Sequence, residues 1–165
     1  MRTYIKDIND SLEKDLFAKP DYNGESVYFL DKELTKPYTG ILIETYDNYT
    51  IWWSEYINEV QNGIEKVFND DGQLEQISEC KNNMHVGISK EYDESNKLIF
   101  VAIKWNNGYV KKIYLDENKN IIKKEEDESW IRNFPIPDNF LQLIKLSDQE
   151  LINYEFKIDN PNLSL

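Results

Sequence analysis

A near-repetition of about two dozen residues constrains this chain more than any other feature it has. From Lys36 to Ile122, Gly40 is followed by Tyr46, Gly63 by Phe68, Gly87 by Tyr92 and Gly108 by Tyr114. The glycines are 23, 24 and 21 residues apart and the aromatics 22, 24 and 22. Self-similarity at a fixed period of this kind means supersecondary units stacked side by side.

Within each unit, runs of β-formers alternate with Asx- and Gly-rich turns, which is hairpin chemistry. Strands are expected at Gly40 to Tyr46, Thr50 to Ile57, Gly63 to Phe68, Leu74 to Cys80, Gly87 to Tyr92, Leu98 to Trp105, Tyr109 to Leu115 and Ile121 to Lys124. Asp47-Asn48, Asn69 to Gly72, Asp93 to Asn96 and Asp116 to Asn120 form turns within the hairpins. Every connection is short, so neighbouring strands should be antiparallel. The expected fold is mainly β: an antiparallel meander of repeated hairpins making one elongated, twisted sheet, with short helices at the two ends. The glycines are expected where one hairpin hands over to the next, at positive φ and close backbone approach. The repeated aromatics are expected to stack as a ladder along one face.

The flanks read differently. Ile5, Ile8, Leu12 and Leu16 fall at helical steps, so residues 4 to 17 predict a helix ended by Pro20. Val27 to Leu30 reads as a strand of a degenerate first hairpin. Glu125 to Glu128 is an acidic run expected in a solvated turn, and Trp130 to Pro137 a Pro-broken connector. Asp138 to Leu146 has helical spacing, and Ser147 with Glu150 forms a capping box for a second helix through about Tyr154. The tail at Asn160-Pro161-Asn162 is expected to be loose. The organisation is thus a single domain over 1–165: an N-terminal helix in 1–20, hairpin repeats in 24–124 and a helical cap in 130–165 that covers the open face or far end of the sheet.

Lys36-Pro37-Tyr38-Thr39-Gly40 leads into units of the form glycine, aromatic, Asn- or Gly-bearing turn, leucine. Asn62-Gly63 through Gly72-Gln73-Leu74, and Gly87 through Lys97-Leu98, carry the same pattern. In these features the chain resembles the MORN-repeat variant family of bacterial proteins, whose members are often labelled antitoxin or immunity components. The resemblance covers Lys36 to Ile122. It implies a single-layer hairpin array used as a binding surface. The chain departs from the pattern at Asn48-Tyr49, Ser95-Asn96 and Asn118-Lys119-Asn120, where glycine is missing from the turn.

Charge narrows the partners. The chain carries 31 acidic and 19 basic residues, a net charge of −12. Such a surface repels nucleic acid and anionic lipid alike. No apolar run is long enough for a membrane span, and Met1 to Asp10 lacks the apolar stretch of a secretory signal. A single cysteine, Cys80, fits a reducing cytoplasm and is expected to be a small hydrophobe on a strand. Residues 41 to 95 hold twelve acidic and three basic side chains, whereas 96 to 124 hold seven lysines and two acids. An acidic surface on the early repeats suits a basic protein partner.

Ile51-Trp52-Trp53-Ser54-Glu55-Tyr56 is the most unusual stretch, because adjacent strand residues face opposite ways and only one tryptophan can join the core. The expected partner-binding residues are Glu44, Trp52, Trp53, Glu55, Tyr56, Glu59 and Glu65. No catalytic residue, cofactor or metal is expected. His85 is the only histidine and is read as a loop residue without a role, and no phosphate loop or activated nucleophile is visible. The expected function is a non-enzymatic, cytoplasmic immunity or antitoxin-like protein, a monomer or weak dimer that occludes a basic toxin domain. The alternative is a scaffold that self-associates through open sheet edges.

Overall fold

The computed structural model describes residues 5–127, 129 and 136–156. Among the described residues, nine strands form one open sheet: β1 (Ile5–Asp7) lies at one edge, and eight repeat strands follow it in chain order. The eight repeat strands are β4 (Gly40–Tyr46), β5 (Tyr49–Ile57), β6 (Val60–Phe68), β7 (Leu74–Lys81), β8 (Met84–Tyr92), β9 (Leu98–Trp105), β10 (Gly108–Leu115) and β11 (Ile121–Glu126). Each pairs antiparallel with the next, as the spacing predicts.

Two kinds of turn alternate, and each has a local cause. At one end of the sheet, Asn58-Glu59, Asn82-Asn83 and Asn106-Asn107 are two-residue turns with positive φ at both positions. Asparagine tolerates that conformation better than other residues with a Cβ. At the other end, Asp47-Asn48 is a turn of the same two-residue kind, and in each of the other three loops one Asx side chain closes the turn. Asn69 Oδ1 accepts from the N–H of Asp71 and Gln73, Asp93 Oδ1 from Ser95 and Lys97, and Asp116 Oδ1 from Asn118 and Asn120. Gly72, Asn96 and Lys119 take the positive-φ position in these loops. The Asx anchor therefore does the work, and glycine is optional.

The interior glycines are not in the turns, which corrects the sequence expectation. Gly63 lies inside β6 and Gly87 inside β8, both at φ +122°. Each sits beneath a glutamate of the preceding strand at an irregularity in the register. Glu55 Oε2 accepts from Ile64 N at 2.6 Å, and Glu79 Oε2 accepts from Ile88 N at 2.7 Å. A Cβ at Gly63 would lie 2.0 Å from Glu55 Oε2. The glycine makes room for a carboxylate that satisfies the N–H freed by the bulge.

The aromatic ladder is also absent. Tyr46, Phe68, Tyr92 and Tyr114 make no ring pairs with one another; Tyr46 is exposed, and Tyr114 instead packs on Phe100 at 5.1 Å. Phe68 and Tyr92 join aliphatic residues around Ile64 and Ile77.

The N-terminal helix shrinks to one turn, α1 (Ile8–Ser11), between β1 (Ile5–Asp7) and β2 (Phe17–Pro20). β1 pairs parallel with β4, Ile5 opposite Ile41. A lone amphipathic helix of this length is marginal, and an open sheet edge offers hydrogen bonds that outweigh it. β2 pairs with β3 (Ser26–Phe29) through the turn that Asp21 caps.

The two faces are covered by opposite ends of the chain. On one, α2 (Asp138–Ile144) and α3 (Asp148–Ile152) bring Phe140, Leu151 and Ile152 onto Ile88, Val101, Ile103 and Ile113. The expected capping box is present: Ser147 Oγ accepts from Glu150 N, and Glu150 Oε2 from Ser147 N. On the other face, Leu16 and Tyr38 pack on Leu42 and Tyr56. Glu125 and Glu126 lie in β11 rather than in a turn, where Glu125 pairs with Lys112 and Lys123. Most of the Trp130 to Pro137 connector and the tail at Asn160 to Asn162 lie outside the described residues. Among the described residues, no helix is long and apolar enough to cross a membrane.

Candidate functional site

Residues paired across neighbouring strands share a face. One such row crosses the sheet as Leu42, Ser54, Glu65, Ser78, Ser89, Ala102, Lys112 and Glu125. Its middle is small and polar, which leaves a depression for longer neighbours to fill. Ser78 Oγ and Ser89 Oγ bond each other at 2.8 Å, and Gln76 Nε2 donates to Ser78 Oγ.

Where the N-terminal segment stops covering this face, a cleft of ≈ 570 Å³ opens over β4 to β6. Its walls include Glu25, Tyr28, Glu44, Trp52, Tyr56 and Glu65, with Asp70 at the turn end. Tyr28 and Trp52 stand edge-on to Tyr56 at 5.2 and 6.4 Å. Glu65 is the centre of the polar contacts. Its Oε2 accepts from Gln61 Nε2 at 2.6 Å and Trp52 Nε1 at 3.2 Å, and its Oε1 contacts His85 Nε2 at 2.8 Å. Burial acts to raise the Glu65 carboxyl, but the hydrogen bonds from His85, Gln61 and Trp52 outweigh it and hold the group below its ordinary value. The carboxylate therefore stays charged inside the cleft wall.

Of the seven residues singled out from the sequence, the fold brings Glu44, Trp52, Tyr56 and Glu65 to this one cleft. It separates the other three. Trp53 points the opposite way, into the core with Ile41, Ile64 and Ile77, as alternation requires of one tryptophan. Glu55 is 2% exposed and folded onto the backbone over Gly63, so it cannot be a surface contact. Glu59 sits in the turn after β5, tied through its backbone to Tyr38 and Tyr28, and does not line the cleft. Sequence reasoning missed Glu25, Tyr28 and Asp70, because the β2–β3 hairpin that delivers the first two had no visible link to β5. It also placed His85 in a loop. His85 lies on β8, and its Nδ1 is 3.4 Å from Lys104 Nζ. Cys80 is buried, as expected of a small hydrophobe, and burial pushes its thiol far up.

No protein-family model matches this chain. No curated protein matches it either. Among solved structures it shows similarity to a complex of an S. aureus TarM mutant with fondaparinux, α-GlcNAc-glycerol and UDP, at 13% identity and TM-score 0.35 over 68% of this chain and 20% of that one. TarM alone gives 12% identity and TM-score 0.33 over 69% and 21% of the respective chains. The chain spans about a fifth of the length of those proteins. Likeness at this level assigns neither a family nor an activity.

Proposed function

We propose that this chain is a non-enzymatic bacterial protein-binding protein of the immunity or antitoxin kind. It acts in the cytoplasm by occluding a basic toxin domain. The observation that carries the reading is the convergence of Glu25, Glu44, Glu65 and Asp70 with Tyr28 and Trp52 on one cleft. Carboxylates steer a basic partner and select against acidic ones, and half-buried aromatic rings are the anchor type that gives a protein interface its energy. The resemblance to the MORN-repeat variant family supports the same class. The edges of the sheet weigh against self-assembly by strand addition. β11 ends in Lys123, Lys124, Glu125 and Glu126, and β1 is three residues long, devices that blunt edge pairing.

The test is co-purification of the full chain with the product of the neighbouring gene, followed by binding rates at several salt concentrations. Glu44→Lys with Asp70→Lys should slow association and flatten its salt dependence while the melting temperature barely moves. A pair that does not co-purify, or an affinity and salt slope untouched by the double reversal, would refute the reading.

A further inference from the structure

Three side chains of metal-ligating type converge at the cleft wall: Glu65 lines the cleft, Cys80 is buried and His85 is half-buried. Glu65 on β6, Cys80 on β7 and His85 on β8 place one ligand atom each within 4.8 Å of the others. The topology makes this meeting. Cys80 and His85 are paired directly across the β7–β8 hairpin. Its two-residue Asn82-Asn83 turn fixes that register. Directly paired side chains point to the same face with Cβ atoms roughly 5 Å apart, a span that one ion bridges. Glu65 joins from the next strand, where it pairs with Ser78. The repeat supplies an internal comparison: the positions 24 residues to either side carry Tyr56 with Gln61 and Lys104 with Tyr109. Only the middle unit has a soft donor opposite an imidazole.

The carboxylate is already oriented. Gln61 and Trp52 hold Oε2, which leaves Oε1 turned toward His85 Nε2 at 2.8 Å. Outer hydrogen bonds of this type fix a ligand's direction and usually accompany metal sites. One thiolate, one imidazole and one carboxylate are the donors that Zn²⁺ accepts, with a fourth tetrahedral position left for water.

We propose that Glu65, Cys80 and His85 bind one transition-metal ion, Zn²⁺ by the character of the donors. The ion takes the place of the His85 Nε2 proton that Glu65 Oε1 accepts and of the Cys80 thiol proton; the ring proton is retained at Nδ1 as Lys104 moves away, so the imidazole stays neutral, and the thiol proton alone is released to solvent. Lys104 opposes it. Its ammonium lies 3.4 Å from His85 Nδ1 and 5.0 Å from the Tyr109 ring, so it must withdraw along that ring when a second cation arrives. This gives the site a signature that a chance surface contact would lack: removing Lys104 strengthens binding, and removing any donor weakens it. The inference does not depend on the partner reading.

The experiment is a Co²⁺ titration of the purified full chain, followed by absorption, with Zn²⁺ as competitor and far-ultraviolet circular dichroism to confirm folding. One equivalent should produce a thiolate-to-cobalt charge-transfer band that Zn²⁺ abolishes. Cys80→Ala should remove the band. His85→Gln and Glu65→Gln should each weaken binding at least about tenfold, and Gln61→Leu about 10- to 100-fold. Lys104→Met should bind more tightly than the parent chain. A folded protein that gives no band would overturn the proposal, as would a band whose affinity survives both His85→Gln and Glu65→Gln, or one weakened by Lys104→Met.

Discussion

The two faces of this sheet are built from the same strands, one residue out of step, and they do different jobs. The row Ile43, Trp53, Lys66, Ile77, Lys90, Val101, Ile113 and Lys124 looks toward the C-terminal helices. The neighbouring row of Ser54, Glu65, Ser78, Ser89 and Ala102 looks the other way. On the first face even the lysines serve packing: Lys66 lies over the Trp53 ring at 4.7 Å, and Lys90 Nζ donates to the carbonyls of Ile152 and Tyr154 at 2.8 and 2.6 Å. A cation there satisfies the open carbonyls at the end of α3. On the second face small side chains are buried by hydrogen-bonding to one another and by longer polar neighbours. The larger apolar cluster lies under the C-terminal helices, and the Leu16–Tyr38–Leu42–Tyr56 cluster fills only one end of the other face, so most of the stability is expected on the first face while the middle of the second holds charge at a defined place. Substitutions ranked by cost should reveal that division.

The largest cost is expected where the apolar-face glutamates cross the bulges. In Gly87→Ala the new Cβ would lie 2.1 Å from Glu79 Oε2, on a backbone at φ +122°. Glu79 would have to move, giving up Ile88 N and the hydroxyl of Tyr154. Backbone strain and a lost charged hydrogen bond together should cost roughly 3–5 kcal/mol, read from urea unfolding. Gly24→Ala is the control: its φ is +88°, but nothing lies within 4 Å of a Cβ there, so only the strain remains, about 1 kcal/mol. Equal losses at the two sites would show that the carboxylate contact stabilises nothing.

Next comes Ile113→Ala, a fully buried side chain in the cluster that the helices cover. The cavity and lost burial should cost about 3 kcal/mol, a fall in melting temperature of roughly 6–12 °C for a chain of this size.

Acid should then loosen the attachment of α3. Lys111 and Lys124 hydrogen-bond Asp148 at 2.6 and 2.8 Å and hold its carboxyl below the ordinary 3.8. The unfolded chain therefore takes up that proton first as pH falls. The contribution is complete above the ordinary carboxylate value and is lost as pH drops through the lower folded value. Thermal melts of the parent and Asp148→Asn should differ at neutral pH and converge in acid. A difference that persists unchanged in strong acid would mean the ion pairs are not its source.

Much of this division was legible before the structure. Period and turn chemistry located all eight repeat strands, and alternation separated Trp52 from Trp53. What was hidden has physical causes. Bulges shift the register without a sequence signature, so Gly63 and Gly87 looked like turn residues, and Glu55 looked like a surface acid although it caps a backbone N–H. Ile5, Ile8, Leu12 and Leu16 have helical spacing, but the segment takes the hydrogen bonds of the β4 edge instead. Glu25, Ser26 and Tyr28 of the cleft wall come from a segment distant in sequence, whose docking depends on contacts such as Tyr28 N to Glu59 O and Asn83 Nδ2 to Asp21 Oδ2. The Glu65–Cys80–His85 group is likewise created by pairing, since no spacing along the chain announces it.

The smallest expected effect tests the polar face directly. Ser89→Ala removes one member of the Ser78–Ser89 hydrogen bond, but Ser78 Oγ still accepts from Gln76 Nε2 at 2.9 Å. The loss should be about 1 kcal/mol. Ser78→Ala with Ser89→Ala removes both buried hydroxyls at once, so neither is left without its partner, and the double variant should cost less than the sum of the singles. Urea unfolding of the four proteins in that cycle gives the coupling. If Ser89→Ala cost as much as Ile113→Ala, the polar face would be as central to stability as the apolar one, and the contrast between the two would fail.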